Sequence, residues 1–156
     1  MRATQIRRRA AGSEIEKIVQ RPESADTAES QRARAKRAHR AAVEAFPKVV
    51  AKLTELVGAP LVAYITGVSE TRAVRQWISG ERVPHPSTQT KLQLALQVAQ
   101  YLVEEGEEGA IEAWFQGLNP SLSDQAPAEL IRNTERMDLP SIGRQILAAA
   151  KEFANS

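Results

Sequence analysis

A short stretch in the middle of the chain carries side chains that can bond to the edges of DNA bases. The stretch LVAYITGVSETRAVRQWISGERVP spans residues 61–84. Its candidate base-contacting residues share one face of a predicted helix: Thr71, Arg72, Arg75 and Gln76. Arginine pairs bidentately with guanine, and glutamine with adenine. The candidate phosphate contacts are the helix start at Ser69 and the cations Arg82 and Lys91.

Positioning these residues requires two short helices joined by Gly67-Val68-Ser69. This pattern predicts a helix-turn-helix over about residues 60–80. Gly67 supplies the positive φ that the turn requires, and Ser69 is the predicted cap of the second helix. Val74 and Trp77, three residues apart, are expected to pack that helix on the core. The alternative is a helical hairpin whose arginines only face solvent.

The residue inventory argues against catalysis. The chain has 156 residues, no cysteine and two histidines, His39 and His85. It therefore has no disulfide, no Cys-based zinc site and no thiol nucleophile. The sequence lacks a Gly-rich phosphate loop, HExxH and GxSxG. The glutamates of residues 104–108 are interpreted as a solvated cluster. We expect no enzyme activity, no cofactor and no metal site.

Charge is distributed unevenly along the chain. Residues 1–42 hold eleven basic and five acidic residues, whereas residues 43–156 hold ten basic and fourteen acidic ones. The run RARAKRAHR at residues 32–40 places six basic residues, His39 included, in nine positions. Such a run adds salt-dependent affinity for nucleic acid without base selection. The asymmetry indicates two kinds of partner; the alternative is a solvated tail followed by an acidic globule.

The apolar spacing predicts an all-α protein in three parts. These are a basic head over 1–27, expected to be disordered or partly helical, a helical domain over 28–105, and a small helical domain over 106–156. Pro47 either kinks one helix or opens a second. Pro140 is predicted to separate helices over 127–137 and 141–154. No apolar run approaches the roughly 20 residues of a membrane span, and no secretory signal is evident, so a cytoplasmic location is expected.

An aromatic pair marks the last third. Trp114 and Phe115 are adjacent, so they point to different sides of a predicted helix. We expect one ring to pack inside while the other reaches a partner, the alternative being that both serve the core.

The segment Trp114-Phe115…Leu118-Asn119-Pro120…Leu122…Pro127…Leu130 resembles the toxin-binding domain of the Xre/MbcA/ParS-like antitoxins. The stretch GVSETRAVRQWISGERVP is similar to the helix-turn-helix that precedes it in that family. Together they cover about residues 43–154. Two departures stand out: Gly67 and Trp77 lie one residue further apart than in many repressors, and Ser123-Asp124 replaces a glycine found in many relatives.

The resemblance implies an antitoxin for a RES-domain toxin, an enzyme class that degrades NAD or transfers ADP-ribose. It implies that the end of the last helix blocks the toxin's NAD pocket. The implied toxin-contacting residues are Trp114, Phe115, Ala150, Lys151, Phe153, Ala154, Asn155 and Ser156. The implied partners are the toxin, operator DNA and a second copy of the chain, since a two-fold operator requires a dimer. Two alternatives stay open: a stand-alone regulator with a helical dimerisation domain, and a pure protein-interaction module.

Overall fold

The structure is a computed structural model that describes residues 27–156. The predicted basic head therefore lies outside the described residues, apart from Thr27. The chain divides into two units between Ala41 and Ala42, and the second unit extends to Ser156. Helices from the predicted domain over 28–105 pack against helices from the predicted domain over 106–156, all within the second unit. The proposed boundary near residue 106 stays a prediction.

The described part of the chain is all helical, as predicted, with no β-strand and one isolated bridge between Asn119 and Gln125. The α-helices are α1 Ala28–Val57, α2 Ala59–Thr66, α3 Thr71–Ser79, α4 Pro86–Glu104, α5 Ile111–Gln116, α6 Pro127–Asn133 and α7 Leu139–Ala154. Short 3₁₀ turns cover Glu108–Ala110 and Pro120–Leu122.

Helix α1 runs without a break through Pro47, so this proline does not open a second helix. Its buried side chains recur every three or four residues: Ala42, Phe46, Val50, Leu53 and Val57. That spacing places them on one face, where they join the hydrophobic core of the second unit. Gly58, with φ +86°, ends the helix and lets α2 begin at once.

Helix α2 lies at the centre of the second unit. It packs against α3, α4 and α6, while α4 packs against α7, and α6 contacts both α5 and α7. Its buried residues Leu61, Val62 and Ile65 supply one side of these contacts. Helix α2 therefore contacts both α3, which carries the candidate DNA-contacting residues, and α6, which lies in the last third of the chain.

The two final helices differ from the predicted bounds. Helix α6 ends at Asn133, and α7 begins at Leu139, so Pro140 lies inside the first turn of α7. The prediction that Pro140 separates the helices was wrong because proline is accepted in a first turn, where its missing N–H has no helical partner.

Within residues 27–156, no single helix is long and apolar enough to cross a membrane. The pair α1 and α2, which meets at a bend of 117°, satisfies the length and composition criteria when taken together. The apolar residues near that bend, including Leu53, Val57 and Leu61, are buried in the core.

Candidate nucleic-acid interface and partner surface

The connection between α2 and α3 is built around Gly67. With φ +81° and ψ 13°, Gly67 is left-handed, and its N–H donates to the carbonyl oxygens of Ala63 at 3.0 Å and Tyr64 at 3.1 Å. The N–H of Val68 also donates to the Ala63 carbonyl, at 3.1 Å. These bonds satisfy the last carbonyls of α2 and turn the chain towards α3.

Helix α3 packs on the core through the two residues that the sequence indicates. Val74 and Trp77 are both buried. Arg72 and Arg75 are exposed, and Thr71 and Gln76 are half-buried. The described residues contain no ion pair of Arg72 or Arg75. The guanidinium groups on α3 are therefore available to a ligand at the surface.

Four of the seven candidate DNA-contacting residues line one depression of about 340 Å³: Ser69, Arg72, Gln76 and Arg82. Arg82 is tied to Gln76, because its Nη1 donates to Gln76 Oε1 at 3.5 Å and its backbone N–H donates to the Gln76 carbonyl at 3.2 Å. Thr71 and Arg75 do not line the depression. Glu70 does, so one carboxylate lies among the cations.

Ser69 does not cap α3, so that prediction was wrong. The residue before the helix is Glu70, with extended backbone and no side-chain capping bond. The connection is one residue longer than the sequence reading assumed, which leaves Ser69 exposed two residues before the first helical residue. The Glu70 carboxylate at this helix start also opposes the binding of an anion there.

Lys91 has a protein partner instead of a free ammonium group. Its Nζ donates to the carbonyl oxygen of Arg132 at 2.7 Å, at the end of α6. Burial, followed by the charge of Arg132, lowers the pKa of Lys91 below its ordinary value. Lys91 therefore joins α4 to α6, contrary to its predicted role as a phosphate contact.

Both rings of the aromatic pair lie in the core. Trp114 is 8% exposed and Phe115 is fully buried, with their rings 5.4 Å apart in an edge-to-face arrangement. Helices α4 and α6 cover α5, and Phe153 of α7 lies 6.4 Å from the Trp114 ring, so both rings pack inside; a partner contact of one ring stays a prediction. Trp114 Nε1 is buried and has no hydrogen-bond partner among the described residues.

The predicted blocking segment at the end of α7 is only partly accessible. Ala150 is fully buried. Phe153 and Ala154 are half-buried, whereas Lys151, Asn155 and Ser156 are exposed. The segment thus divides into a core-packing part and an exposed end.

A groove of about 350 Å³ runs beside this exposed end. Its lining brings together Trp114, Leu118, Pro120, Phe153 and Ser156, among others. The Ser121 hydroxyl donates to the Glu152 carboxylate and so joins the Pro120–Leu122 turn to α7. The floor is aromatic and the rim is polar, an arrangement suited to a protein partner.

Sequence reasoning missed Leu118 as a surface residue. Leu118 is 73% exposed and borders both this groove and a second one of about 420 Å³ that includes Tyr64 and Glu129. An apolar side chain between Gly117 and Asn119, in a turn, was the signal available. Tyr64 is itself 42% exposed, with the Arg132 guanidinium carbon 4.7 Å from its ring centre.

The described residues contain no group of three or more His, Asp or Glu side chains placed to hold a metal ion. Comparisons with known proteins give no match: no family model, curated protein or solved structure is similar to this chain.

Proposed function

We propose that the protein is an antitoxin that neutralises a RES-domain, NAD-consuming toxin and binds operator DNA to regulate its own synthesis. The observation that carries the proposal is the presence of two exposed surfaces of different chemistry on one compact unit. One is the cationic face of α3, and the other is the apolar surface around Leu118 at the end of α7. In this proposal the chain itself carries out no catalysis.

The cationic face supports the DNA-binding part. Arg72 and Arg75 project from a helix that Val74 and Trp77 fix on the core. A rigid helix with exposed arginines fits the major groove, where bidentate arginine contacts distinguish guanine. Thr71 and Gln76 complete the proposed base-contacting set, with Arg82 as a phosphate contact.

The apolar surface supports the toxin-binding part. Leu118 is exposed, and the groove beside it includes exposed Ser156. A partner that covers Leu118 also meets Lys151, Asn155 and Ser156. Trp114 lines the floor of that groove, whereas the buried Phe115 and Ala150 shape this surface from beneath.

A pair of variants tests the proposal by separating the two activities. Arg72→Ala with Arg75→Ala is expected to abolish binding to DNA selected from a random-sequence library while the toxin partner still co-purifies. Leu118→Glu is expected to do the reverse. Gln100→Glu on the exposed side of α4 adds the same charge as Leu118→Glu and is expected to change neither activity.

Survival of selective DNA binding in the arginine pair would show that α3 is not the base-contacting helix. If Leu118→Glu keeps full partner binding as well as DNA binding, the partner surface lies elsewhere on the protein. A chain that binds selected DNA but has no partner would instead favour a stand-alone regulator.

A further inference from the structure

The first part of α1, residues 28–41 and hereafter the α1 arm, has every residue exposed except half-buried Ser30. It holds five Lys or Arg against one acid, Glu29, and so carries a net charge of +4. Isolated helices of this length are marginal in water. Here the packed residues of α1 continue the same helix, which stabilises the arm without burying it.

Three of the cations form a row on one face of the arm. Arg32, Lys36 and Arg40 are spaced four residues apart, which places them about 6 Å apart along the helix axis. All three are exposed, and the described residues contain no ion pair of any of them. Four of the five cations in the arm are arginines, whose planar guanidinium pairs bidentately with phosphate.

The composition of the arm decides between the possible partners. Beside its charged residues it contains five alanines and no large apolar side chain. A coiled-coil partner needs apolar residues at the repeating seam positions. Insertion into a membrane surface needs Trp, Phe or Leu on the face opposite the charges. A polyanion needs neither, so charge complementarity favours the phosphate backbone of a nucleic acid.

We propose that the α1 arm binds the phosphates of duplex DNA without reading the bases. Arg32, Lys36 and Arg40 each contact a phosphate and release condensed counterions. This contact is independent of the proposed operator recognition by α3. It serves to hold the chain on any DNA, whatever the sequence.

The test uses the full chain and a random-sequence duplex of about 30 base pairs, with fluorescence anisotropy recorded over a range of salt concentrations. The arm variant is Arg32→Gln, Lys36→Gln and Arg40→Gln, since glutamine is neutral and forms helices well. The matched control removes three exposed cations from other places: Lys48→Gln, Arg136→Gln and Arg144→Gln. Circular dichroism checks that both variants keep the helical content of the wild type.

The arm variant is expected to bind about tenfold or more weakly near 0.1 M salt, because each phosphate contact contributes about 0.9 to the slope of log affinity against log salt. The slope should fall by about 2 to 3 units for three lost contacts. The control should keep the wild-type slope.

An unchanged slope in the arm variant, or an equal loss in the control, would overturn the proposal. So would equally strong arm-dependent binding to vesicles of phosphatidylserine and phosphatidylcholine, which would assign the arm to a membrane surface. Either result leaves the proposal for α3 intact, because that rests on selected DNA and on Arg72 and Arg75.

Discussion

The ammonium group of Lys91 donates a hydrogen bond of 2.7 Å to the main-chain carbonyl oxygen of Arg132. Arg132 in turn donates from Nη1 to the carbonyl oxygen of Tyr64 at 2.9 Å and lies over the Tyr64 ring. These contacts join α4, α6 and α2. The helix that positions α3 is thereby connected to the part of the chain that carries the proposed partner surface.

Replacing Lys91 with methionine should destabilise the fold. Lys91→Met keeps the aliphatic stem but removes the bond to Arg132, and hydrogen bonds to charged groups are worth about 1.5–3 kcal/mol. Because relief of desolvation offsets part of this, we expect a loss of about 1–2 kcal/mol in the free energy of unfolding measured with urea. Lys48→Met, at an exposed site, should change it by less than about 0.5 kcal/mol. Equal effects of the two changes would contradict a structural role for Lys91.

The stability contribution of Lys91 should rise with pH in the alkaline range. Its pKa is lowered in the folded state, so between the folded and ordinary values the unfolded chain binds more protons. The free energy of unfolding of the wild type, relative to Lys91→Met, should therefore increase as pH rises towards the ordinary lysine pKa. Burial and the charge of Glu105 raise the pKa of Tyr101, so the contribution of Tyr101 to stability falls as pH rises. Because the wild type and Lys91→Met both contain Tyr101, this effect cancels in the difference between them. A difference that stays constant or shrinks with pH would contradict the shift.

Ser123→Gly should stabilise the protein. Ser123 has φ 56° and ψ 41°, in the left-handed region, which costs a non-glycine residue about 1–2 kcal/mol. Glycine removes this cost but adds freedom to the unfolded chain, so a net gain of about 0.5–1 kcal/mol is expected by thermal or urea unfolding. Ser69→Gly, at a position where φ is not positive, should give no gain. A loss at Ser123 would mean that its side chain stabilises the turn by other contacts.

Deleting Asn155 and Ser156 should impair neutralisation and spare the fold. Both residues are exposed, whereas removal from Ala150 onwards would also take a core residue and the Phe153 ring beside Trp114. We expect a melting temperature within about 2 °C of wild type and a clear loss of inhibition of the toxin's NAD consumption. Ser156→Ala, which keeps the chain length, should still inhibit. Full inhibition by the deleted chain would rule out the end of α7 as the blocking element.

Local patterns were sufficient for much of the fold. The spacing of Val74 and Trp77 indicated which side of α3 packs on the core, and Gly67 indicated the left-handed turn before α3; both features are confirmed. They depend on neighbours within one helical turn, which a sequence displays directly. The helix-turn-helix interpretation itself stays a prediction.

Features that depend on contacts between residues far apart in the sequence could not be predicted from local patterns. The partner of Lys91 is 41 residues away, so no local pattern places its ammonium on Arg132. The burial of both Trp114 and Phe115 depends on α4, α6 and Phe153 enclosing a six-residue helix. Leu118, in the turn after this helix, is 73% exposed although it is apolar.

The decisive measurement is the NAD consumption of a companion protein, with and without the chain. The full chain, tagged at its amino terminus so that Ser156 is free, is purified from its native host, and any stoichiometric companion is separated in denaturant and refolded. We expect that the companion by itself consumes NAD and that this consumption stops when an equimolar amount of the chain is added. A companion that leaves NAD unchanged, or a chain that purifies alone at every salt concentration, would contradict it.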